Sequence, residues 1–260
     1  MTELPGFAVL LARLLEHRGE APADLARRAG AAEADLAALS AGAAPGQALL
    51  RRLAPALGLD TADLFEIAAV PLPEDLAPAG GMATTSIVGV VRFGKALPAD
   101  RRAELRAFVA SLPPARQTGR IEGLPALATD PRSPGNLLMR MVAARNLGWT
   151  GTAKIFHLLT GRYWMSTAYG RIASGETALT PDLLTDFALV LGLPPAELAA
   201  LLGMPLPPLP PLPLLPPVPA GSPGPDESAV DAALLLRGLR RLGVEQLREA
   251  EDLARALQPG

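Results

Sequence analysis

The sequence predicts an all-α protein, because its composition, its apolar spacing and an internal repeat all favour short helices. Apolar residues make up 49% of the 260 residues, aromatic residues only 4%, and 28 prolines interrupt the chain. Segments rich in Ala and Leu form helices readily, whereas a β-sandwich needs more β-branched and aromatic side chains. Apolar residues recur at helical spacing between glycine and proline breaks, and the pattern occurs twice. The length fits one large domain or two small ones.

Five short helices are predicted in the first copy of the repeat, which we assign to residues 1–70. Proline suits a first helical turn, as at Pro22, and glycine suits a helix end, as at Gly30 and Gly58. The predicted bounds are Phe7–Arg18, Pro22–Ala29, Glu33–Ser40, 47–57 and Thr61–Ile67.

A proline-rich stretch at 71–78 leads into a segment that could form either a strand or a helix. Residues 84–93 (TTSIVGVVRF) are rich in β-branched side chains and could pair as a strand. The counterpart 145 residues later, 229–238 (AVDAALLLRG), has the composition of a helix. We therefore expect helix in both, and we assign 71–135 to a proline-punctuated linker that carries an amphipathic helix.

The second copy, assigned to residues 136–204, repeats the apolar spacing of the first. The matched pairs are Leu36/Tyr169, Leu39/Ile172 and Gly42/Gly175 at an offset of 133, then 49–64 and 183–198 at an offset of 134. The predicted helices are 136–147, 152–160, 166–174, Pro181–Leu191 and 194–202.

The end of the chain combines a polyproline linker with an amphipathic segment. Residues 198–225 carry no charge, but eleven prolines between Pro205 and Pro225 exclude a membrane helix, because each removes a backbone donor that lipid cannot replace. We assign 205–225 to the linker and 226–260 to a C-terminal amphipathic region. Leucines recur at helical spacing over 237–257, which predicts a helix or helix pair that dimerises the chain or covers the second domain.

Several classes of function are disfavoured by what the chain lacks. It has no cysteine and only two histidines, His17 and His157, too few for a multi-histidine zinc site. It shows no glycine-rich phosphate loop, paired catalytic carboxylates or serine nucleophile motif, so we expect no enzyme, no metal and no cofactor. The net charge is −2, which argues against a protein that coats nucleic acid. The chain start does not read as a signal peptide, so we expect a cytoplasmic protein with no membrane partner.

The repeated unit resembles the Cro and phage-repressor helix-turn-helix family, also called XRE-like. In the first copy the likeness lies in DLARRAGAAEADLAALSAG (24–42) and LLRRLAPALGLDTADLF (49–65). In the second it lies in IFHLLTGRYWMSTAYGRIASG (155–175) and LLTDFALVLGLPPAELAALL (183–202). There Tyr163 and Trp164 replace the glycine and small apolar residue expected in the turn. The alternative is that unrelated short Ala/Leu helices align in this way. The resemblance implies two small helix-turn-helix bundles joined by proline-rich linkers, with amphipathic helices after each.

The resemblance also implies which copy binds DNA. In this family the third helix enters the major groove and the second crosses the backbone. Residues 136–175 contain five basic residues and no acid, a charge of +5, whereas 4–42 contain four arginines and five acids, a charge of −1. We therefore expect the second copy to bind double-stranded DNA. The candidate site residues are Thr152, Lys154, Arg162, Ser166, Thr167, Gly170 and Arg171.

Five of the seven candidate residues have an expected role. Arg171 is placed to bind guanine, Ser166 and Thr167 to reach bases or phosphate, and Thr152 and Lys154 to bind phosphate. Tyr169 and Ile172 fall on core positions. Against this, Arg171 has an equal expectation of pairing with Glu176, and an aromatic residue at a turn usually packs into the core.

Two functions follow as hypotheses. The first is a sequence-specific DNA-binding transcriptional regulator, with DNA as partner and a second copy of the chain or another regulator as further partners. The second is a non-enzymatic protein-interaction adaptor, in which both copies are docking modules and the proline run is a spacer or ligand.

Overall fold

The computed structural model describes residues 3–77, 81–115, 133–206 and 225–258, and all regular structure in these ranges is helical, which confirms the predicted all-α class. The helices of the first half are α1 (Phe7–Arg18), α2 (Pro22–Ala29), α3 (Glu33–Ser40), α4 (Gln47–Ala56), α5 (Thr61–Ile67), α6 (Gly81–Ala96) and α7 (Ala99–Ser111). Those of the second half are α8 (Pro134–Ala143), α9 (Trp149–Thr160), α10 (Ser166–Ala173), α11 (Pro181–Leu191), α12 (Pro195–Leu202), α13 (Pro225–Leu239) and α14 (Val244–Ala256). A 3-10 turn lies at Glu74–Leu76.

The helices α1 to α5, which we call the first set, match the predicted bounds closely. Only α4 differs, ending at Ala56 instead of residue 57. Gly19 and Gly30 follow α1 and α2 in the left-handed conformation, with φ of +61° and +60°, which glycine adopts without strain. The carboxylate of Asp60 caps α5 by accepting a hydrogen bond from the Ala62 amide.

The helices α8 to α12, which we call the second set, differ more from their predicted bounds. The helix predicted at 136–147 begins at Pro134 and ends at Ala143, and the chain then turns through Asn146 at a φ of +60°. The helix predicted at 152–160 begins at Trp149. A composition rich in Ala and Leu does not determine where α8 ends or where α9 begins, and the turn at Asn146 carries no glycine to mark it.

The β-branched segment 84–93 is helical, as the comparison with its counterpart predicted. It forms the middle of α6, in which Ala83, Ile87, Val90 and Val91 are buried at helical spacing. The region expected to carry one amphipathic helix thus holds two, α6 and α7. The segment 237–257 gives the end of α13 and all of α14, so the predicted helix pair is confirmed.

Helices α11 and α12 are apolar and sharply bent relative to each other. Gly192, with a φ of +66°, ends α11, and α12 starts three residues later. No single helix in the described ranges is long and apolar enough to cross a membrane, although this pair, bent by 117°, meets the requirement when its two members are counted together. Of the predicted polyproline linker, residues 207–224 lie outside the described residues.

The two sets share most of their internal contacts and also pack against each other. In each set the first helix packs on the third, the second on the third and fourth, and the fourth on the fifth. Between the sets, α1 packs on α12 and α5 packs on α8. The remaining helices, α6, α7, α13 and α14, which we call the tail helices, pack together, and α13 also covers α9 and α11 of the second set. A single continuous apolar core results.

Candidate nucleic-acid interface

The outward side of α10 brings four of the seven candidate residues together. Tyr169, Ile172 and Ala173 are buried, which turns the opposite side of this helix towards solvent. That side lines an open depression of about 340 Å³, formed by Ser166, Thr167, Gly170, Arg171, Ser174, Glu176 and Trp149 of α9. Hydroxyl and guanidinium groups are therefore presented side by side on one exposed helix.

The orientation of α10 is fixed by an aromatic cluster in the second set. The ring centroid of Tyr169 lies 4.8 Å from that of Phe156 and 6.1 Å from that of Trp164. Burial raises the pKa of the Tyr169 phenol above its usual value, so the group is neutral. The expectation that Tyr169 and Ile172 are core residues is confirmed.

Arg171 is exposed, and within the described ranges its charge partner is Glu176, as the alternative expectation had it. Its Nε lies 3.4 Å from a carboxylate oxygen of Glu176, and the two side chains are 65% and 62% exposed. An ion pair this exposed contributes about 0 to 1 kcal/mol, because water solvates both charges. Arg171 can therefore exchange this partner for another acceptor at little cost.

Lys154 and Arg162 differ in how far their charges are available. Lys154 is exposed on α9. Arg162 is half-buried, pairs with Asp186 of α11, and has its guanidinium carbon 4.9 Å from the Trp164 ring centroid. Burial raises the pKa of Asp186 despite this partner. Arg162 thus supports the turn before α10 more than it offers a charge to solvent.

Thr152 does not occupy the position expected of it. It is fully buried, and its hydroxyl donates a hydrogen bond of 3.0 Å to the carbonyl oxygen of Gly148. The prediction started α9 at residue 152, whereas the helix starts at Trp149 and turns Thr152 inward. Thr152 therefore cannot reach a phosphate, and the exposed threonine in the first turn of α9 is Thr150.

The charge of +5 counted over 136–175 overstates the free positive charge. Four of its five basic residues pair with carboxylates outside that window: Arg140 with Glu66, Arg145 with Asp63, Arg162 with Asp186 and Arg171 with Glu176. Arg145 is 1% exposed and cannot face DNA. Asp63 and Glu66 come from the first set, and Glu176 and Asp186 follow the window, so the count over 136–175 includes none of these acids.

Two exposed apolar side chains in the turn before α10 were missed by the sequence analysis. Tyr163 is 82% exposed and Met165 is 74% exposed, whereas Trp164 between them packs against the core. The Tyr163 ring stacks edge-on with His157, with centroids 5.6 Å apart. The expectation that turn aromatics fill the core is correct for Trp164 and wrong for Tyr163. Alternation along this extended turn was the available signal, because neighbouring side chains point to opposite sides.

The corresponding side of the first set is acidic or apolar. Glu33, Ala34, Ala37 and Ala38 are exposed on α3. The nearby arginines pair with acids of the same set: Arg27 with Asp24, Arg28 with Glu20 and Arg52 with Asp35. This surface repels phosphate, in contrast to α10.

The described residues include no group of three His, Asp or Glu side chains placed to hold a metal ion. Comparison with known proteins adds no assignment: the chain matches no family model, no curated protein and no solved structure.

Proposed function

We propose that the chain is a sequence-specific DNA-binding regulator that reads duplex DNA through α10. The observation that carries the proposal is the exposed side of this helix, where Ser166, Thr167 and Arg171 stand together. These side chains offer donors and acceptors that suit base edges, and arginine binds guanine through two hydrogen bonds.

The helix order supports the same reading. Helix α9 precedes α10 and packs on it, as the backbone-crossing helix precedes the reading helix in the Cro and phage-repressor family that the sequence resembles. Lys154 and Thr150 of α9 are exposed, and Trp149 borders the same depression as Arg171. Phosphate contacts from α9 would hold α10 in the groove.

Affinity is expected to be modest, because most basic side chains of the second set are paired. Non-specific binding depends on phosphate neutralisation, and here Lys154 and Arg171 are the main contributors. Discrimination between sequences therefore depends on α10 more than on total charge.

A second candidate, the protein-interaction adaptor, is favoured by a different surface. An apolar groove of about 680 Å³ lies between α9, α11 and α13, and exposed Val230 and Leu234 form one wall. Exposed apolar side chains in a groove are typical of protein-docking sites. The groove and the α10 surface are separate, so one experiment can distinguish the two functions.

The test is a fluorescence-anisotropy titration of duplexes selected from a randomised pool, with Arg171→Ala and Arg27→Ala as a matched pair. Both arginines are exposed and each pairs with a nearby carboxylate, but Arg27 lies in the acidic first set. We expect Arg171→Ala to lose about 1 to 3 kcal/mol on the selected duplex, and Arg27→Ala to bind as the wild type does. Equal losses, or no enrichment of any duplex at low salt, would refute the proposal.

A further inference from the structure

The two sets align with each other in sequence, and one arginine in each set occupies the equivalent position. At an offset of 127, α1 aligns with α8, so that Arg18 corresponds to Arg145. The next residues, Gly19 and Asn146, share the left-handed conformation, with φ of +61° and +60°. This turn marks the same point in both sets, although only one of them carries glycine.

The two arginines make the same pair of contacts. Arg18 donates to the carbonyl oxygen of Leu57 at 3.0 Å and to the carboxylate of Glu197 at 2.6 Å. Arg145 donates to the carbonyl oxygen of Leu191 at 2.8 Å and to the carboxylate of Asp63 at 2.7 and 2.8 Å. Leu57 corresponds to Leu191, and Asp63 to Glu197, both at the offset of 134.

Each arginine therefore binds its own set through a carbonyl and the other set through a carboxylate. If the two sets are exchanged, the contact between Arg18 and Glu197 becomes the contact between Arg145 and Asp63. The packing of α1 on α12 is likewise the packing of α8 on α5 with the sets exchanged. In a two-fold interface between two identical subunits, residue i of the first subunit contacts residue j of the second, and residue j of the first contacts residue i of the second. The two sets show this reciprocal pattern.

The tail helices follow the same exchange in part. Helices α6 and α7 correspond to α13 and α14 at the offset of 145, and the contacts of α6 with α14 and of α7 with α13 are exchanged copies of each other. The relation is incomplete, because both α6 and α13 pack on α9 of the second set.

We infer that one chain is an internal dimer, and that its DNA target is a site without two-fold symmetry, occupied by a single chain. The second part rests on the proposed function. Repressors of two identical subunits read inverted half-sites, because each subunit presents the same helix. Here the two-fold partner of α10 is α3, whose exposed side carries Glu33 and three alanines instead of Ser166 and Arg171. Only one half of the site is then read.

The first test is selection of duplexes from a randomised pool by the full chain, followed by sedimentation of the selected complex. The expected result is a consensus without inverted repeats and a mass of one chain per duplex. A palindromic consensus, or two chains per duplex, would overturn the inference.

The second test restores the missing half of the DNA-binding surface by placing the exposed side chains of α10 on α3. At the offset of 133, Glu33, Ala34 and Ala38 correspond to Ser166, Thr167 and Arg171, and all three are exposed. The full chain with Glu33→Ser, Ala34→Thr and Ala38→Arg should select an inverted repeat of the original consensus while still binding as one chain. Two linked contacts should raise affinity for that repeat by about 10²-fold over the single half-site.

The control variant is Glu249→Arg, which makes the same change in net charge on the exposed side of α14. It should leave the consensus unchanged. An unchanged helical circular-dichroism spectrum establishes that the triple variant is folded. A folded triple variant that still selects a single half-site would overturn the two-fold placement of α3 and α10.

Failure of the proposed function gives a different result from failure of this inference. If no duplex is enriched, DNA binding and the asymmetric target both fail, and sedimentation of the free chain decides the internal dimer. The mass of one chain over a wide concentration range supports it, and the mass of two chains overturns it.

Discussion

Arg145 and Asp63 bind each other through two hydrogen bonds, of 2.7 and 2.8 Å, and each side chain is only 1% exposed. The pair joins α5 of the first set to the end of α8 in the second. Burial alone disfavours the charged guanidinium, but the charge and hydrogen bonds of Asp63 raise the pKa of Arg145 above its usual value. The Arg145 guanidinium is therefore charged, and removal of the Asp63 carboxylate would leave this charge buried without its partner.

Asp63→Asn is expected to destabilise the protein strongly. The amide keeps the shape of the carboxylate but leaves the Arg145 charge buried and uncompensated, which costs about 3 to 5 kcal/mol. Urea unfolding at pH 7 measures this cost as a loss in the free energy of unfolding.

The equivalent change Glu197→Gln provides the control. Arg18 and Glu197 are 20% and 23% exposed, so water solvates Arg18 when its partner is removed. The expected cost is about 1 kcal/mol. Equal costs at the two positions would contradict the role of burial.

Glu66 predicts a dependence of stability on pH. Burial raises its pKa above the usual 4.5, the charge of Asp63 raises it further, and Arg140 opposes the shift. Between pH 4.5 and the raised pKa the folded state binds more protons than the unfolded state. The free energy of unfolding should therefore fall as pH rises through this window.

Glu66→Gln should flatten that fall, because glutamine does not titrate. The measurement is the free energy of unfolding at several pH values from 4 to 7. Asp186 also has a raised pKa and remains in both proteins, so a reduced slope is expected, not a zero slope. An unchanged slope would show that Glu66 does not contribute.

Local spacing predicted the helices well, but it could not predict the contacts between them. Helices α1 and α2 end as predicted because Gly19 and Gly30 mark their turns, whereas the turn at Asn146 carries no such signal. Arg145 was counted as part of a basic face because its partner, Asp63, lies 82 residues away. Thr152 was misplaced for another reason: α9 starts at Trp149, so Thr152 is not at the helix start and lies on the buried side of the helix. The exposed side of α10 was correctly described because its buried residues recur at the repeat positions.

Gly135→Ala is expected to destabilise the second set. A Cβ at this position would overlap the backbone carbonyl oxygen of Ile172, so α8 and α10 approach each other through the missing side chain. Extra volume in a packed core costs about 1 to 3 kcal/mol. Thermal or urea unfolding would measure the loss, and an unchanged free energy of unfolding would contradict the close approach.

Lys154→Ala should weaken DNA binding uniformly. Lys154 is exposed on α9, where a phosphate contact carries no sequence information. Losing one phosphate contact lowers the slope of log affinity against log salt by about 1. Anisotropy titrations at four salt concentrations, on the selected duplex and on a scrambled one, should show the same change. A change confined to the selected duplex would instead assign Lys154 to base reading.

Gly170→Ala should separate stability from DNA binding in a single variant. A Cβ at Gly170 meets nothing within 4 Å, so alanine fits without a clash, and replacing glycine inside an exposed helix gains about 1 kcal/mol of stability. Gly170 also lies between Thr167 and Arg171 in the α10 depression, where the missing side chain leaves room for the proposed DNA partner to approach the backbone closely. We therefore expect the variant to unfold at a higher urea concentration and yet bind the selected duplex more weakly. A matched substitution, Gly46→Ala, also meets nothing within 4 Å but lies in the first set, before α4, so it should leave binding unchanged. Stronger unfolding resistance with unaltered DNA affinity at Gly170 would show that this surface does not face the duplex.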